Sequence, residues 1–316
     1  MRNLAFDCLK GVLIVLVMAG HVSLGKIDEN WFRETIYFFH MPLFLAVTGY
    51  FLSPATLSLP IREIIKKYTH RLLIPYGCAF IFYSALKWTQ SVWSGMGPVN
   101  VLVELTIYPF YHLWYVPAVL IFVFALKGMR GLNSIGCAVI LSAACVAAVA
   151  LPFMTEGGGY SWLYYLGDKR FYGYLLYFWL GFYLRRVTGF SSKSVMLMAT
   201  LFLASVVGYL SSEQKLIRSI MQVVANVAII PLVIFWCKKA ILQDGRFIAR
   251  LGQVSLPIYL WHVLPLLVLS QLFPVGGLGY YALSTASCLL IAVIFVRLEG
   301  KSKRVDALFY GTHTKV

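Results

Sequence analysis

Acidic residues are scarce in this chain: 12 Asp and Glu stand against 27 Lys and Arg, and charged residues of both signs fill only 12% of the 316 positions. An ordinary soluble domain carries about twice that share of charge, so a freely soluble protein is excluded. Six cysteines form no CxxC pair; Cys8, Cys78, Cys137, Cys145 and Cys288 fall inside apolar segments and Cys237 at the end of one. They read as small apolar packing residues, not as a disulfide framework or a thiolate metal site. HExxH, a carboxylate ladder and any Cys/His cluster are all missing, which leaves no metal centre to expect. GxSxG is missing too, as are paired carboxylates inside an apolar run, and hydrolase readings weaken accordingly. Without internal repeats, low-complexity tracts or a large hydrophilic block, residues 1–316 are expected to form a single integral-membrane domain.

Apolar sequence is what the chain has in abundance: 60% of residues are hydrophobic and the mean hydropathy is +0.79. Runs long enough to span a bilayer, about 17 to 25 residues, begin near positions 4, 34, 72, 110, 133, 170, 194, 219, 254 and 280. The expected fold is an all-α polytopic membrane protein with about ten transmembrane helices in one bundle. Charges lie within the first run and comparable runs recur along the chain, so that run reads as a membrane helix and not as a cleavable leader. With the N-terminus inside, 20 of the 27 basic residues fall on the inner side and seven on the outer. Cytoplasmic loops carry such an excess, which places both termini in the cytoplasm. The net charge of +15 is then a topology signal, and no nucleic-acid partner is expected. In "PIREIIKKYTHR", Ile61, Ile64, Ile65 and Tyr68 oppose Arg62, Lys66, Lys67 and His70 at helical spacing. Such a helix lies on the inner membrane surface, either as an anchor or beside an anionic ligand.

Against this background the ionisable residues stand out. The stretch "FDCLKGVLIVLVMAGH" puts Asp7, Lys10 and His21 into the first membrane helix, where each costs about 2.5 to 3.5 kcal/mol and so marks a functional site. Eleven residues separate Lys10 from His21; at about 100° and 1.5 Å per residue they share a helix face roughly 16 Å apart, with Asp7 on the same stripe. The second run, "YFFHMPLFLAVTGYF", carries His40 about six residues in from the outer side, at a depth close to that of His21. Two imidazoles from neighbouring helices are therefore expected to converge. Pro42 frees a backbone carbonyl in that helix, which bends it or lines a cavity. His262, in "IYLWH", lies mid-membrane and either lines the site or makes a structural hydrogen bond. Trp114 and Tyr115 stand near the outer end of the fourth run, as interface aromatics or as platforms for a sugar. The segment "TEGGGYSWLYYLGD" adds further aromatics on that side.

The stretches "DCLKGVLIVLVMAGH", "FFHMPLFLAVTGYFL", "RLLIPY", "HLWYVPAVL" and "LGQVSLPIYLWH" resemble, in order and style, the acyltransferase type 3 family of bacterial ten-helix enzymes that O-acylate sugars. The chain looks most similar to the branch resembling fucose 4-O-acetyltransferases. This resemblance implies an O-acetyltransferase of the bacterial inner membrane that takes the acetyl group from cytoplasmic acetyl-CoA. The acceptor would be a glycan or lipid-linked sugar, such as an O-antigen or exopolysaccharide unit. The family's first-helix basic residue and its histidine fall on Lys10 and His21; the usual arginine is here a lysine, which keeps the charge but loses the bidentate fork that suits phosphate. Arg71 in "RLLIPY" supplies such a fork near the inner surface.

The resulting assignment makes His21, assisted by His40 and with Asp7 on the same stripe, the catalytic group. Lys10 and Arg71 bind the phosphates of acetyl-CoA, and Trp114, Tyr115 and His262 meet the sugar. A neutral imidazole near its ordinary pKa suits either removal of the hydroxyl proton or transient acylation. The rival reading is a transporter or exporter of a lipid-linked sugar or polysaccharide, for which interior ionisable residues are equally suited but a coenzyme site is not needed. A proton-coupled carrier calls for paired halves with discontinuous helices, and no such pairing is visible.

Overall fold

The computed structural model describes residues 3–23, 30–93, 112–155 and 170–311, and among these every regular element is helical. In chain order they are α1 (Leu4–Val22), α2 (Trp31–Phe51), α3 (Pro54–Ser58), α4 (Ile61–Tyr68) with a π-helical turn at Thr69–Leu73, and α5 (Ile74–Trp93). There follow α6 (Tyr115–Met129), α7 (Ser134–Thr155), α8 (Arg170–Gly173), α9 (Leu175–Leu184), α10 (Ser192–Ser211) and α11 (Lys215–Lys239). The C-terminal part holds α12 (Arg246–Gln253), α13 (Ser255–Trp261), α14 (Val263–Leu272), α15 (Leu278–Leu298) and α16 (Lys303–Val305), the last running into a π-helical turn at Asp306–Tyr310. Within the described residues, the apolar runs fall on one of these helices or on consecutive elements. Among the described residues five are long and apolar enough to cross a bilayer: α1, α10, α11, α15 and the Ser255–Leu272 stretch of α13 and α14. Shorter apolar helices are α6, α9 and the Ser134–Val146 part of α7.

The outside of the bundle is apolar. On α10, Met196, Leu203, Val207 and Leu210 are 62–74% exposed, the surface of a helix bathed in lipid and not in water. Packing inside therefore depends on close fit more than on hydrophobic exclusion. At the α1–α12 crossing a Cβ on Gly252 would lie 1.9 Å from the Asp7 carbonyl oxygen, and one on Gly11 would lie 2.0 Å from that of Ile248. Gly49 and Gly181 bring α2 against α9 in the same way. Only glycine permits backbones this close.

Polar groups inside the bundle mostly satisfy backbone. Asn3 caps α1 by accepting from the Ala5 amide and donates to the Cys237 carbonyl at the end of α11. Pro42 leaves the Phe38 carbonyl without its helical donor, and α11 supplies two: Asn226 Nδ2 at 2.8 Å and Gln222 Nε2 at 3.1 Å. Two lysines close helix ends. Lys127 Nζ donates to the Leu57 and Leu59 carbonyls, and Lys238 Nζ to those of Leu184 and Val187, complementing the negative ends of α3 and α9. On α4 Ile64 is buried while Ile61 and Ile65 face outward. All six cysteines are free thiols.

Candidate active site

The site begins at a break in the backbone. Pro265 has no N–H and its ring excludes the carbonyl four residues back, so the helix through "LWHVLP" is interrupted at His262, between α13 and α14. The Ile258 carbonyl keeps the His262 amide at 2.9 Å, but those of Tyr259 and Leu260 then need donors, and histidine rings provide them. His262 Nδ1 donates to the Tyr259 carbonyl at 2.8 Å and the Ile258 carbonyl at 3.1 Å. His112, just before α6, donates from Nε2 to the Leu260 carbonyl at 3.0 Å, and the Tyr259 hydroxyl donates to the His112 carbonyl.

His21, in the last turn of α1, completes the group. Its ring centroid lies 5.0 Å from that of His262, with the planes at 90°, and 6.3 Å from that of His112; the His112 and His262 rings are 5.3 Å apart. A carbonyl only accepts, so in the neutral rings the protonated nitrogen of His262 is Nδ1 and that of His112 is Nε2. The other nitrogens, His262 Nε2 and His112 Nδ1, are buried without a hydrogen-bond partner among the described residues, and so is His21 Nδ1. Tyr83 and Tyr259 pack on His112 at 5.2 Å and 5.6 Å.

The other sequence-predicted residues fall around this cluster at different distances. His40 is buried, donates from Nδ1 to the Ile36 carbonyl at 2.6 Å, and reaches His21 through Tyr37, whose ring lies 4.9 Å from His40 and 6.3 Å from His21. The Tyr115 hydroxyl donates to Thr48 Oγ1 at 2.6 Å, since the threonine's own proton goes to the Phe44 carbonyl. Its ring is 5.3 Å from Tyr259, which joins it to the cluster. Trp114 instead stacks on Tyr174 at 5.4 Å, with the Arg170 guanidinium 4.8 Å above its ring.

The structure does not bring Asp7 to His21. Fourteen residues, about 21 Å of helix, separate them, and Asp7 pairs with Lys10 at 2.7 Å while accepting from Gln253 Nε2 at 3.2 Å. The Lys10 ammonium also sits 5.4 Å from the Phe51 ring. Arg71 lies near the Tyr68 and Tyr115 hydroxyls. It lies in the π-helical turn with its backbone against Gly311 and its side chain exposed, and makes no hydrogen bond or ion pair among the described residues. Burial raises the pKa of the Tyr68 hydroxyl above its ordinary value and the nearby Arg71 guanidinium draws it part of the way back. A cavity of about 350 Å³ between α3, α6, α7 and α9, with Arg130 and Arg186 among its lining residues, shares nothing with the imidazole cluster. No group of three or more His, Cys, Asp or Glu among the described residues is arranged to hold a metal ion. The "TEGGGYSWLYYLGD" segment lies, from Glu156 on, outside the described residues.

His112 was legible only as the first letter of "HLWYVPAVL", where the neighbouring aromatics drew attention. Its partner carbonyl, on Leu260, is 148 residues away in sequence. Local spacing carries no information about such a contact.

A family model described as an acyltransferase domain, the type 3 acyltransferases, matches residues 3–297. The chain belongs to this family. It is thus a type 3 acyltransferase built of membrane helices, and the matched region contains every histidine of the cluster. Among similar proteins, nodulation protein NolL of Mesorhizobium japonicum is 29% identical over 159 residues, 47% of this chain and 42% of that protein. NolL of Sinorhizobium fredii is 38% identical over 89 residues, 25% of this chain and 24% of that protein. The chain thus spans less than half the length of these relatives. No solved structure matches this type 3 acyltransferase significantly.

Proposed function

We propose that this acyltransferase transfers an acetyl group from cytoplasmic acetyl-CoA to a hydroxyl of a cell-surface or lipid-linked sugar. It does so as a multi-pass protein of the bacterial inner membrane, with about ten spans in one domain and both termini in the cytoplasm. The observation that carries the reading is the cluster of three imidazoles in which His112 and His262 are tied to backbone carbonyls, while His21 Nδ1 has no partner among the described residues. His21 is the ring free to exchange a proton. It shares a helix with Lys10, about 16 Å toward the other end, a span comparable to a pantetheine arm.

In the reaction the sugar oxygen bonds to the acyl carbon as its proton passes to His21, the C–S bond breaks, and the departing thiolate takes that proton back. The products are the sugar ester and free CoA thiol. His40 fixes the Tyr37 side of the His21 ring, and Tyr115 and Tyr259 wall the acceptor side. At the donor's phosphate end the exposed fork of Arg71 fits an anion directly. Lys10 fits once the carboxylate of Asp7 shares its ammonium, so Asp7 acts as a holder of Lys10.

The test is acyl transfer in proteoliposomes given labelled acetyl-CoA and membrane glycan, with mass spectrometry of the glycan. His21→Ala should insert and bind donor, yet transfer at least about 100-fold more slowly. A parental rate in that variant would remove His21 as the reacting group, no transfer by the parental protein would favour the exporter reading, and acetyl trapped on His21 with donor alone would replace direct attack by a two-step route.

A further inference from the structure

Counting protons in the cluster gives an uneven result. Each neutral imidazole has one N–H and one lone pair. The N–H groups of His112 and His262 are used on the Leu260, Tyr259 and Ile258 carbonyls, so both rings can only accept from a neighbour. The rings are 1% and 0% exposed, and neither lone pair has a partner among the described residues. Buried acceptors left unpaired are uncommon and call for a reason. His21, at 5.0 Å from His262, is the nearby ring with an N–H to give, and a centroid separation of that size between two imidazoles allows facing nitrogens to reach hydrogen-bond range.

We infer that His262, with His112 behind it, is a positioning residue that accepts the N–H of His21, holding the opposite His21 nitrogen toward the reacting hydroxyl and stabilising the imidazolium formed there. In a serine hydrolase triad a carboxylate does this work for the histidine; here a neutral imidazole, its tautomer locked by backbone, takes that place. The proton balance follows. His21 gives its own N–H to His262 Nε2, receives the sugar proton on its other nitrogen, and returns that second proton to the thiolate, so that His262 never changes protonation state. The carbonyl locks are what keep His262 from presenting an N–H instead. Two N–H groups facing each other would turn His21 around. This inference rests on His21 being the base.

Two measurements test it. The first is nitrogen NMR of histidine-labelled protein in detergent at neutral pH, with His262→Gln and His112→Gln used to assign the rings. The expected result is neutral His262 protonated on Nδ1 and neutral His112 on Nε2; His262 protonated on Nε2 overturns the proposal, because that ring then cannot accept. The second is kinetic. His262→Phe should lower kcat about 10- to 100-fold, the loss of one hydrogen bond to a charged group, while KM for acetyl-CoA stays within about twofold of parental. His262→Gln keeps an acceptor and a donor and should recover most of that kcat. Equal losses in the Phe and Gln variants, or parental kcat in both, overturn the inference even when His21→Ala is inactive. Full activity in His21→Ala would instead overturn the role of His21 as the base, on which the inference rests. If His262→Phe fails to insert, the ring assignments and the Gln variant decide.

Discussion

Replacing Gly252 by Ala tests the packing that presents Lys10. The new methyl carbon would sit 1.9 Å from the Asp7 carbonyl oxygen and 2.7 Å from the Gly11 amide nitrogen, where ordinary contact begins at 3.4 Å. Both obstacles are helix backbone, so no side chain can swing aside and α12 must withdraw from α1 by more than 1 Å. Overpacking of a tight core costs about 1 to 3 kcal/mol. The gain in helix propensity on replacing glycine by alanine returns only about 0.5 to 1 kcal/mol, leaving a net loss of up to about 2.5 kcal/mol. The displacement also carries Gln253 away from Asp7, loosening the pair that Asp7 makes with Lys10. Thermal unfolding in detergent should show a clear drop for Gly252→Ala, with a rise in KM for acetyl-CoA. Gly128→Ala is the control: nothing lies within 4 Å of its new methyl, so it should keep parental KM and match or exceed parental stability. A Gly252→Ala protein as stable as the parent, with unchanged KM, would refute the close crossing and the donor site built on it.

Arg71→Gln should weaken acetyl-CoA binding by about 1.5 to 3 kcal/mol if one charge-assisted hydrogen bond is lost, measured by titration; unchanged affinity removes Arg71 from the donor site. Asn226→Leu strips one of two donors from the carbonyl that Pro42 frees and should cost about 1 kcal/mol, rising to about 3 kcal/mol with Gln222→Leu added. Denaturation of the single and double variants checks whether the second loss exceeds the first. Reporter fusions after Lys315 and within residues 156–159 should report opposite sides of the membrane, inside and outside; the same side for both would overturn the proposed topology.

The sequence by itself determined the class of the protein. Scarce charge and repeated apolar runs require helices in lipid, since in hydrocarbon each backbone group must be paired within its own segment. That Lys10 and His21 share one helix was readable because helical periodicity is local. Pro42 announced a freed carbonyl for the same reason. What takes up that carbonyl was not readable: Asn226 and Gln222 lie more than 180 residues on. Nor could a count of basic residues separate Lys127 and Lys238, which close helix ends, from Arg71, which is left exposed. Asp7 was expected on the same stripe as His21, and it pairs with Lys10 at the end of α1 opposite the imidazoles. The tertiary structure alone decided that His112 and His262 join His21 and which nitrogen of each carries the proton. Those facts depend on carbonyls exposed by a helix break and on rings brought together from α1, the turn before α6 and the junction of α13 and α14, and contacts between distant segments follow from packing, which no periodicity along the chain encodes.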